Sequence, residues 1–210
     1  MRPIRIALTK GRLEKKAVGL FQTMGLDCTE LLNKGRRLIL PVENYEIVLA
    51  KAADVVTYVR HGSCDIGIVG KDTIAENGDG VYEVTALPFG KCAFALAGLP
   101  DRDFYAGHNE KIVASKYPNV ARKFFADKGM DVNIIKIEGS VELAPLLGLA
   151  HAIVDIVETG TTLKENGLVI IEEIMPVSAR VIVNMASMKL RREEVESFLN
   201  DIEIAKEVTE

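Results

Sequence analysis

The chain has 210 residues, 48% hydrophobic and 27% charged, with 26 Lys and Arg against 30 Asp and Glu for a net charge of −4. At roughly 100–200 residues per domain this is one large or two small globular domains, and it excludes a mini-protein or a disordered tail. The acidity, with seven Phe, five Tyr and no Trp, also argues against a nucleic-acid surface, which would show a basic stripe interleaved with aromatics.

Ile4–Thr9 is a short apolar run that predicts a strand. Lys10-Gly11-Arg12 turns the chain, and Leu13, Ala17, Leu20, Phe21 and Met24 then recur at helical spacing. The pattern returns with a strand at Tyr45–Leu49, a helix at Ala52–His61, a strand at Asp65–Val69 and a loop, Gly70-Lys71-Asp72, that opens another helix. Such alternation predicts an α/β fold with a largely parallel sheet. Leu87-Pro88-Phe89-Gly90 punctuates the chain, and Pro88 is the first expected crossover. A second α/β set follows: strand Ala93–Ala97, polar loop Pro100–Glu110, strand Ile112–Ser115, helix Val120–Lys128, strand Asn133–Ile137, helix Glu142–Leu149 and strand Ala152–Val157. Thr159-Gly160-Thr161-Thr162 opens one more helix, and the strand-rich Leu168–Met175 ends at Pro176, the second crossover. Arg180–Met185 returns as a strand and Arg191–Val208 closes as an amphipathic helix, while Met185, Met188 and Leu190 read as core. The expected organisation is therefore a discontinuous lobe I, residues 1–88 plus 178–210, and a lobe II, residues 89–177. Two crossings of this kind place a ligand cleft between the lobes and permit hinge closure.

Even the apolar segment Leu143–Val157 is broken by Pro145, His151 and Asp155, short of the roughly 18 residues of a membrane span. The start, MRPIRIALTK, is charged too soon for a secretory signal, so a cytoplasmic protein is expected. Cys28, Cys64 and Cys92 form no CxxC pair and have no His cluster, which makes them free thiols rather than a zinc site or a disulfide framework. His61, His108 and His151 stand apart without triad context and are assigned no catalytic part.

The strongest local signal is Asp155-Ile156-Val157-Glu158-Thr159-Gly160-Thr161-Thr162-Leu163. Gly160 lets the backbone approach a ligand, the threonines add hydroxyl donors, and the free N–H groups of the following helix favour an anion such as a phosphate. Asp155, at the strand end, is suited to accept hydrogen bonds from sugar hydroxyls. Taken alone, these nine residues are equally a Thr-rich helix cap behind a solvated carboxylate. A second constellation is cationic: Lys10 and Arg12 in the first strand-to-helix loop, and Lys34, Arg36 and Arg37 ahead of Leu38–Leu40. Glu142, by itself, is a first-turn carboxylate favoured by the helix macrodipole, and Asp72 an N-cap next to Gly70. Asp65–Gly70 and Asp155–Gly160 share a faint likeness, each an acid-bearing strand running into a glycine turn, too weak for a repeat.

Glu142, Gly148, Ala150, Ile153, Asp155, Ile156, Thr159, Gly160, Thr162 and Leu163 fit, position for position, the signature of the ATP phosphoribosyltransferases. Ala7–Leu13, Asp54–Val59, Gly62 and Asp65–Asp72 resemble that family's other blocks. The resemblance implies two lobes like type II periplasmic binding proteins, and attack of adenine N1 of ATP on C1 of 5-phosphoribosyl 1-pyrophosphate (PRPP). Pyrophosphate is expelled with Mg2+ carried by the substrates, in the first step of histidine biosynthesis. It implies PRPP contacts from Asp155, Glu158, Thr159, Gly160, Thr161 and Thr162, and ATP or phosphate contacts from Lys10, Gly11, Arg37, Asp72 and Glu142. Arg12 and Arg36 are then the transition-state donors, since departing pyrophosphate builds charge that preorganised guanidinium groups stabilise. Lys34 reads as a solvated cation. With the chain stopping after the closing helix, the resemblance is to the short form, which works with a regulatory subunit resembling histidyl-tRNA synthetase. A homodimer of the catalytic chain is compatible with it. Two other classes fit parts of the pattern: a solute-binding module on the same two-lobed fold, and a phosphoribosyltransferase for another base.

Overall fold

Ile4, Ile6 and Leu8 point to one face of a strand and Ala7 to the other, and all four are buried, as expected for a central strand covered on both sides. The computed structural model describes residues 2–107 and 110–209, so His108 lies outside the described residues. From its start the chain forms β1 (Ile4–Thr9), α1 (Arg12–Thr23), α2 (Thr29–Leu32), β2 (Ile39–Val42), β3 (Tyr45–Ala50), α3 (Ala52–Arg60), β4 (Ile66–Gly70), α4 (Lys71–Asn77) and β5 (Val81–Ala86). It continues through β6 (Cys92–Gly98), β7 (Lys111–Ser115), α5 (Pro118–Asp127), β8 (Val132–Lys136), α6 (Leu143–Leu146), β9 (Ala152–Val157), α7 (Thr161–Glu165) and β10 (Val169–Val177). It closes with β11 (Ala179–Asn184), α8 (Ser187–Leu190) and α9 (Arg192–Thr209). Two compact units result, one of Met1–Gly90 with Ser178–Glu210, the other of Lys91–Val177.

Unit 1 holds a six-stranded sheet in the order β2-β3-β1-β4-β11-β5. Only β1 with β3 and β1 with β4 pair in parallel; β2, β11 and β5 pair antiparallel with their neighbours. The sheet is therefore mixed rather than largely parallel, because a strand returning from the second unit enters it antiparallel to β4. Phe21 of α1 and Phe198 of α9 meet edge-on over one face, with ring centroids 6.1 Å apart. On the other face α3 lies so close to β4 that a Cβ on Gly67 would come within 2.8 Å of Val59 Cγ2, which is why this strand carries a glycine.

Unit 2 holds a five-stranded sheet in the order β10-β6-β9-β7-β8, with β7 parallel to both β8 and β9. Val120, Ala121 and Phe125 of α5 cover one face, and Val141, Ala144, Leu163 and Leu168, from around α6 and α7, cover the other. The helix expected over Glu142–Leu149 shortens to the single turn α6, since Gly148 takes the left-handed φ of 73° and leaves Leu147 exposed. Pro176 does not end its strand. It lies within β10, opposite Ala93, on the edge of the sheet where a missing N–H is tolerated. Met185 and Leu190 are exposed rather than core, and Met188 packs partly against it. Among the described residues no helix is long and apolar enough to cross a membrane.

Unit 1 is stitched together by one carboxylate. Asp65 is fully buried and accepts two bonds from the Arg2 guanidinium (2.6 and 3.0 Å), one from the Arg5 N–H (2.9 Å), one from the Ser187 hydroxyl (2.8 Å) and one from Arg191 (3.2 Å). Burial pushes its pKa up, and the Arg2 guanidinium, the Arg5 N–H and the Ser187 hydroxyl more than offset that, so the carboxyl stays below its ordinary range. With the folded pKa depressed, the stabilisation is present above the ordinary carboxylate pKa of about 4 and is lost as pH falls through the folded value. Asp65→Asn should destabilise the chain by about 2–4 kcal/mol at pH 7, discounted because Arg2 is partly solvated, and the gap to wild type should shrink below about pH 4. Urea unfolding at pH 7 and pH 3 measures both, and equal midpoints at pH 7 would remove Asp65 from this role.

Candidate active site

In unit 2 the parallel strands β8, β7 and β9 end at one edge of the sheet, where open α/β sheets bind ligands. Three loops meet there, carrying Lys116 after β7, Gly139-Ser140-Val141-Glu142 after β8 and Glu158–Thr162 after β9. The Ser115 hydroxyl donates to the Val154 carbonyl at 2.7 Å and accepts from the Tyr117 N–H at 2.8 Å, which ties the end of β7 to β9 and fixes where Lys116 leaves the sheet. Ser140 holds a left-handed φ of 50°, uncommon for a residue with a side chain.

Asp155 is not at the strand end. It lies inside β9 opposite Ala95, on the face it shares with Ile153 and Val157. Burial pushes its pKa up to about 6; the Ile156 N–H works against that shift, the Glu142 carboxylate adds to it, and Lys116 opposes it. Asp155, Glu142 and Lys116 thus form one electrostatic group. Lys116 escaped the sequence reading, and its signal was its place directly after a strand of the parallel set.

In the following loop Gly160 takes φ 74°. A Cβ there would sit 3.9 Å from Val157 Cγ1, so backbone conformation rather than crowding calls for glycine. The Thr159 and Thr161 hydroxyls lie 2.9 Å apart and, with Gly160, Lys164 and Glu165, line an open concavity of about 610 Å3. Helix α7 has only five residues, too few for a sizeable macrodipole. Thr161 and Thr162 are the first two residues of that helix, and Glu158 is exposed in the loop ahead of it.

In unit 1, Lys10 and Arg12 are exposed on either side of Gly11, whose φ is 95°. Lys34 is not simply solvated: its ammonium pairs with the buried Glu14 carboxylate. Arg37 is held by Glu30 at 2.6 Å and by the carbonyls of Lys34 and Asn33, both at 3.3 Å. Arg36 is exposed, and among the described residues its guanidinium has no hydrogen bond or ion pair. At Gly70-Lys71-Asp72, where a loop is expected, Gly70 ends β4 and Lys71 begins α4 directly, with Asp72 in its first turn and the carboxylate folded over Gly70.

The alkanesulfonate-binding protein SsuA from Xanthomonas axonopodis pv. citri, in its structure with MOPS, has a TM-score of 0.57 at 11% identity, covering 98% of this chain and 73% of that one. This likeness gives the fold class, an α/β protein of periplasmic-binding-protein type. The chain belongs to the ATP phosphoribosyltransferase family, whose profile matches residues 51–204. An ATP phosphoribosyltransferase of Clostridium kluyveri is 62% identical over 205 residues, 97% of this chain and 94% of its own. The ATP phosphoribosyl transferase (HisG:HisZ) complex from Thermotoga maritima contains a chain with a TM-score of 0.84 at 35% identity, covering 97% of this chain and 98% of that one. The activity is transfer of the phosphoribosyl group from PRPP to N1 of ATP with release of pyrophosphate, the first step of histidine biosynthesis.

The raised pKa of Asp155 has a consequence for stability. The native state keeps this proton to higher pH than the unfolded chain, so stability declines as pH rises from about 4 through about 6. Asp155→Asn preserves the shape and an acceptor for the Ile156 N–H. It should therefore raise stability by about 1–3 kcal/mol at pH 8 and change it little at pH 4. Denaturant titrations of the two proteins at both pH values measure this; a variant no more stable than wild type at pH 8 contradicts the burial cost.

Proposed function

We propose that the phosphoribosyl group of PRPP is bound by unit 2, with its 5-phosphate on the Thr159–Thr162 loop and its ribose hydroxyls donating to Asp155. The observations that carry this are a half-buried carboxylate within β9 and, in the loop directly after that strand, a left-handed Thr-Gly-Thr turn whose threonines line an open concavity. Glu158 and Glu142 flank the sugar, and Lys116 balances the two carboxylates. Arg12 and Arg36 act on the leaving group. As N1 of the adenine forms its bond to C1, the bond from C1 to the pyrophosphate oxygen breaks and its electron pair leaves with pyrophosphate. Guanidinium donors at that oxygen lower the barrier without any proton transfer. Lys10, Gly11 and Asp72 belong to the ATP or phosphate contacts, and Arg37 joins them on release from Glu30. Among the described residues no group of three or more His, Cys, Asp or Glu could hold a metal. The Mg2+ of the reaction travels with PRPP and ATP as part of the substrates, in the cytoplasm.

Incubation of the purified chain with ATP, PRPP and Mg2+ should yield an N1-substituted adenine nucleotide detectable by its ultraviolet spectrum. A solute-binding module would bind and leave both ligands intact. Arg12→Ala and Arg36→Ala should each lower kcat by about tenfold to a thousandfold, the range for losing one preorganised donor. Wild-type kcat in both variants, measured where chemistry limits the rate, overturns their assignment.

The similar Thermotoga maritima chain is found in a HisG:HisZ complex, which supports a hetero-oligomer in which a subunit resembling histidyl-tRNA synthetase supplies the histidine site. An effector acts only through different affinities for two states, so the site must lie where the states differ. Histidine titrated into the isolated chain should give no saturable calorimetric signal and no inhibition. Saturable binding with inhibition and no partner present rejects this arrangement.

A further inference from the structure

We infer that Glu14 is a positioning residue for the transfer: one buried carboxylate clamps together the two loops that carry the proposed phosphate donors. Glu14 is the third residue of α1, where a carboxylate can reach back to the N–H ahead of the helix. Its Oε2 accepts from the Gly11 N–H at 3.3 Å, in the loop between Lys10 and Arg12. Its Oε1 pairs with the Lys34 ammonium, two residues before Arg36. The two loops are distant in sequence, one after β1 and the other ahead of β2, and this carboxylate bonds to both.

The side chain of Glu14 is only 11% exposed and that of Lys34 33%. A carboxylate this buried is destabilising unless paired and hydrogen-bonded, and here both oxygens are committed. Its neighbours on the same loops differ from it in one respect. Lys10 and Arg36 are exposed cations beside glycines at φ 95° and φ 58°. Holding donors within a fraction of an ångström of the reacting atoms is what sets their worth in the transition state, and misplacement by about 1 Å costs on the order of a hundredfold. Lys34 is thus a structural cation, and the pair acts through Arg12 and Arg36.

This role rests on the donor assignment of Arg12 and Arg36 above, and the test separates the two. Glu14→Gln keeps an acceptor for the Gly11 N–H and loses the ion pair, leaving the unpaired cation on the more solvated partner; Lys34→Met removes the same pair but leaves the buried carboxylate unpaired, so circular dichroism and thermal unfolding verify that each variant is folded. Each should lower kcat by about tenfold to a hundredfold, while the KM for PRPP, whose proposed subsite is in unit 2, stays within about twofold. Because the clamp works through the donors, Glu14→Gln placed in an Arg36→Ala background should cost less than it does in the wild type. Glu14→Asp, too short to span both loops, should not restore the rate. Wild-type kcat in Glu14→Gln and Lys34→Met, alongside a depressed Arg36→Ala, overturns the clamp alone. Full additivity of Glu14→Gln with Arg36→Ala overturns it as well, by making the loss independent of the donor. Wild-type kcat in Arg36→Ala overturns the donor assignment and leaves the clamp nothing at Arg36 to position.

Discussion

Parallel pairing of the central strands is the constraint from which the sites follow. A parallel pair cannot close with a tight turn, so each strand end must release the chain into a loop and a crossover, and neighbouring loops collect at one edge. In unit 1 the register Ile4↔Tyr45 through Thr9↔Ala50 brings the ends of β1 and β3 level, and the Lys10 N–H donates to the Ala50 carbonyl at 2.9 Å. The Thr9 hydroxyl donates to the Ile68 carbonyl of β4 at 3.1 Å, on the opposite side of β1. The loop Lys10-Gly11-Arg12 therefore starts from a fixed platform. In unit 2 the same constraint delivers Lys116, Glu142 and Thr159 to one edge, although 43 residues of sequence separate the first from the last.

Asp65 and Asp155 show how one sequence pattern serves two ends. Both precede a short apolar run and a glycine. Asp65, however, stands just before β4, where the N-terminal segment and the chain returning after β11 can supply Arg2, Arg191 and Ser187. It is saturated by protein donors, and its pKa goes down. Asp155 lies toward the far end of β9 with alanine opposite it, and its own neighbour's N–H is the hydrogen bond that lowers its pKa. Burial outweighs that single bond, and its pKa goes up. A buried carboxylate already satisfied by arginines has nothing to offer a ligand, whereas one left short of donors can accept from hydroxyls brought in from outside, as proposed for Asp155.

Most of the strand and helix order was legible because each element of an α/β fold carries its own period: Ile4–Thr9 as a buried run, Leu13 to Met24 at helical spacing. What escaped depends on partners distant in sequence. β5 carries Glu83 and Thr85 between its apolar residues and is stable only by pairing with β11, which arrives about 100 residues later. The mixed character of both sheets has the same origin. At the candidate site, the Thr-Gly-Thr turn and Asp155 could be singled out because glycine and threonine carry local chemistry. The link from Glu14 to Lys34 could not, since it spans 20 residues and an intervening helix. For the same reason Lys34 read as a solvated cation, and the acceptors of the three cations in Lys34–Arg37 emerge only from the fold: Glu14 takes Lys34, Glu30 takes Arg37, and among the described residues none takes Arg36.

Two of the groups proposed for the reaction are left by the fold in unfavourable states. Asp155 carries a burial cost and Arg36 projects a charge with no acceptor among the described residues, while Ser140, two residues before Glu142, holds left-handed backbone. Strain of this sort persists only where the surrounding structure over-determines it. Here the Ser115 hydroxyl locks β7 to β9 and the Glu14 carboxylate bonds to both cationic loops, while Asp155 and Arg36 keep capacity for further partners. On the proposed binding mode, a substrate that brings hydroxyls to Asp155 and phosphate oxygens to Arg36 would complete the missing half of each interaction. Its binding energy then goes into relieving those local costs, which is how a rigid scaffold converts marginal groups into selective ones.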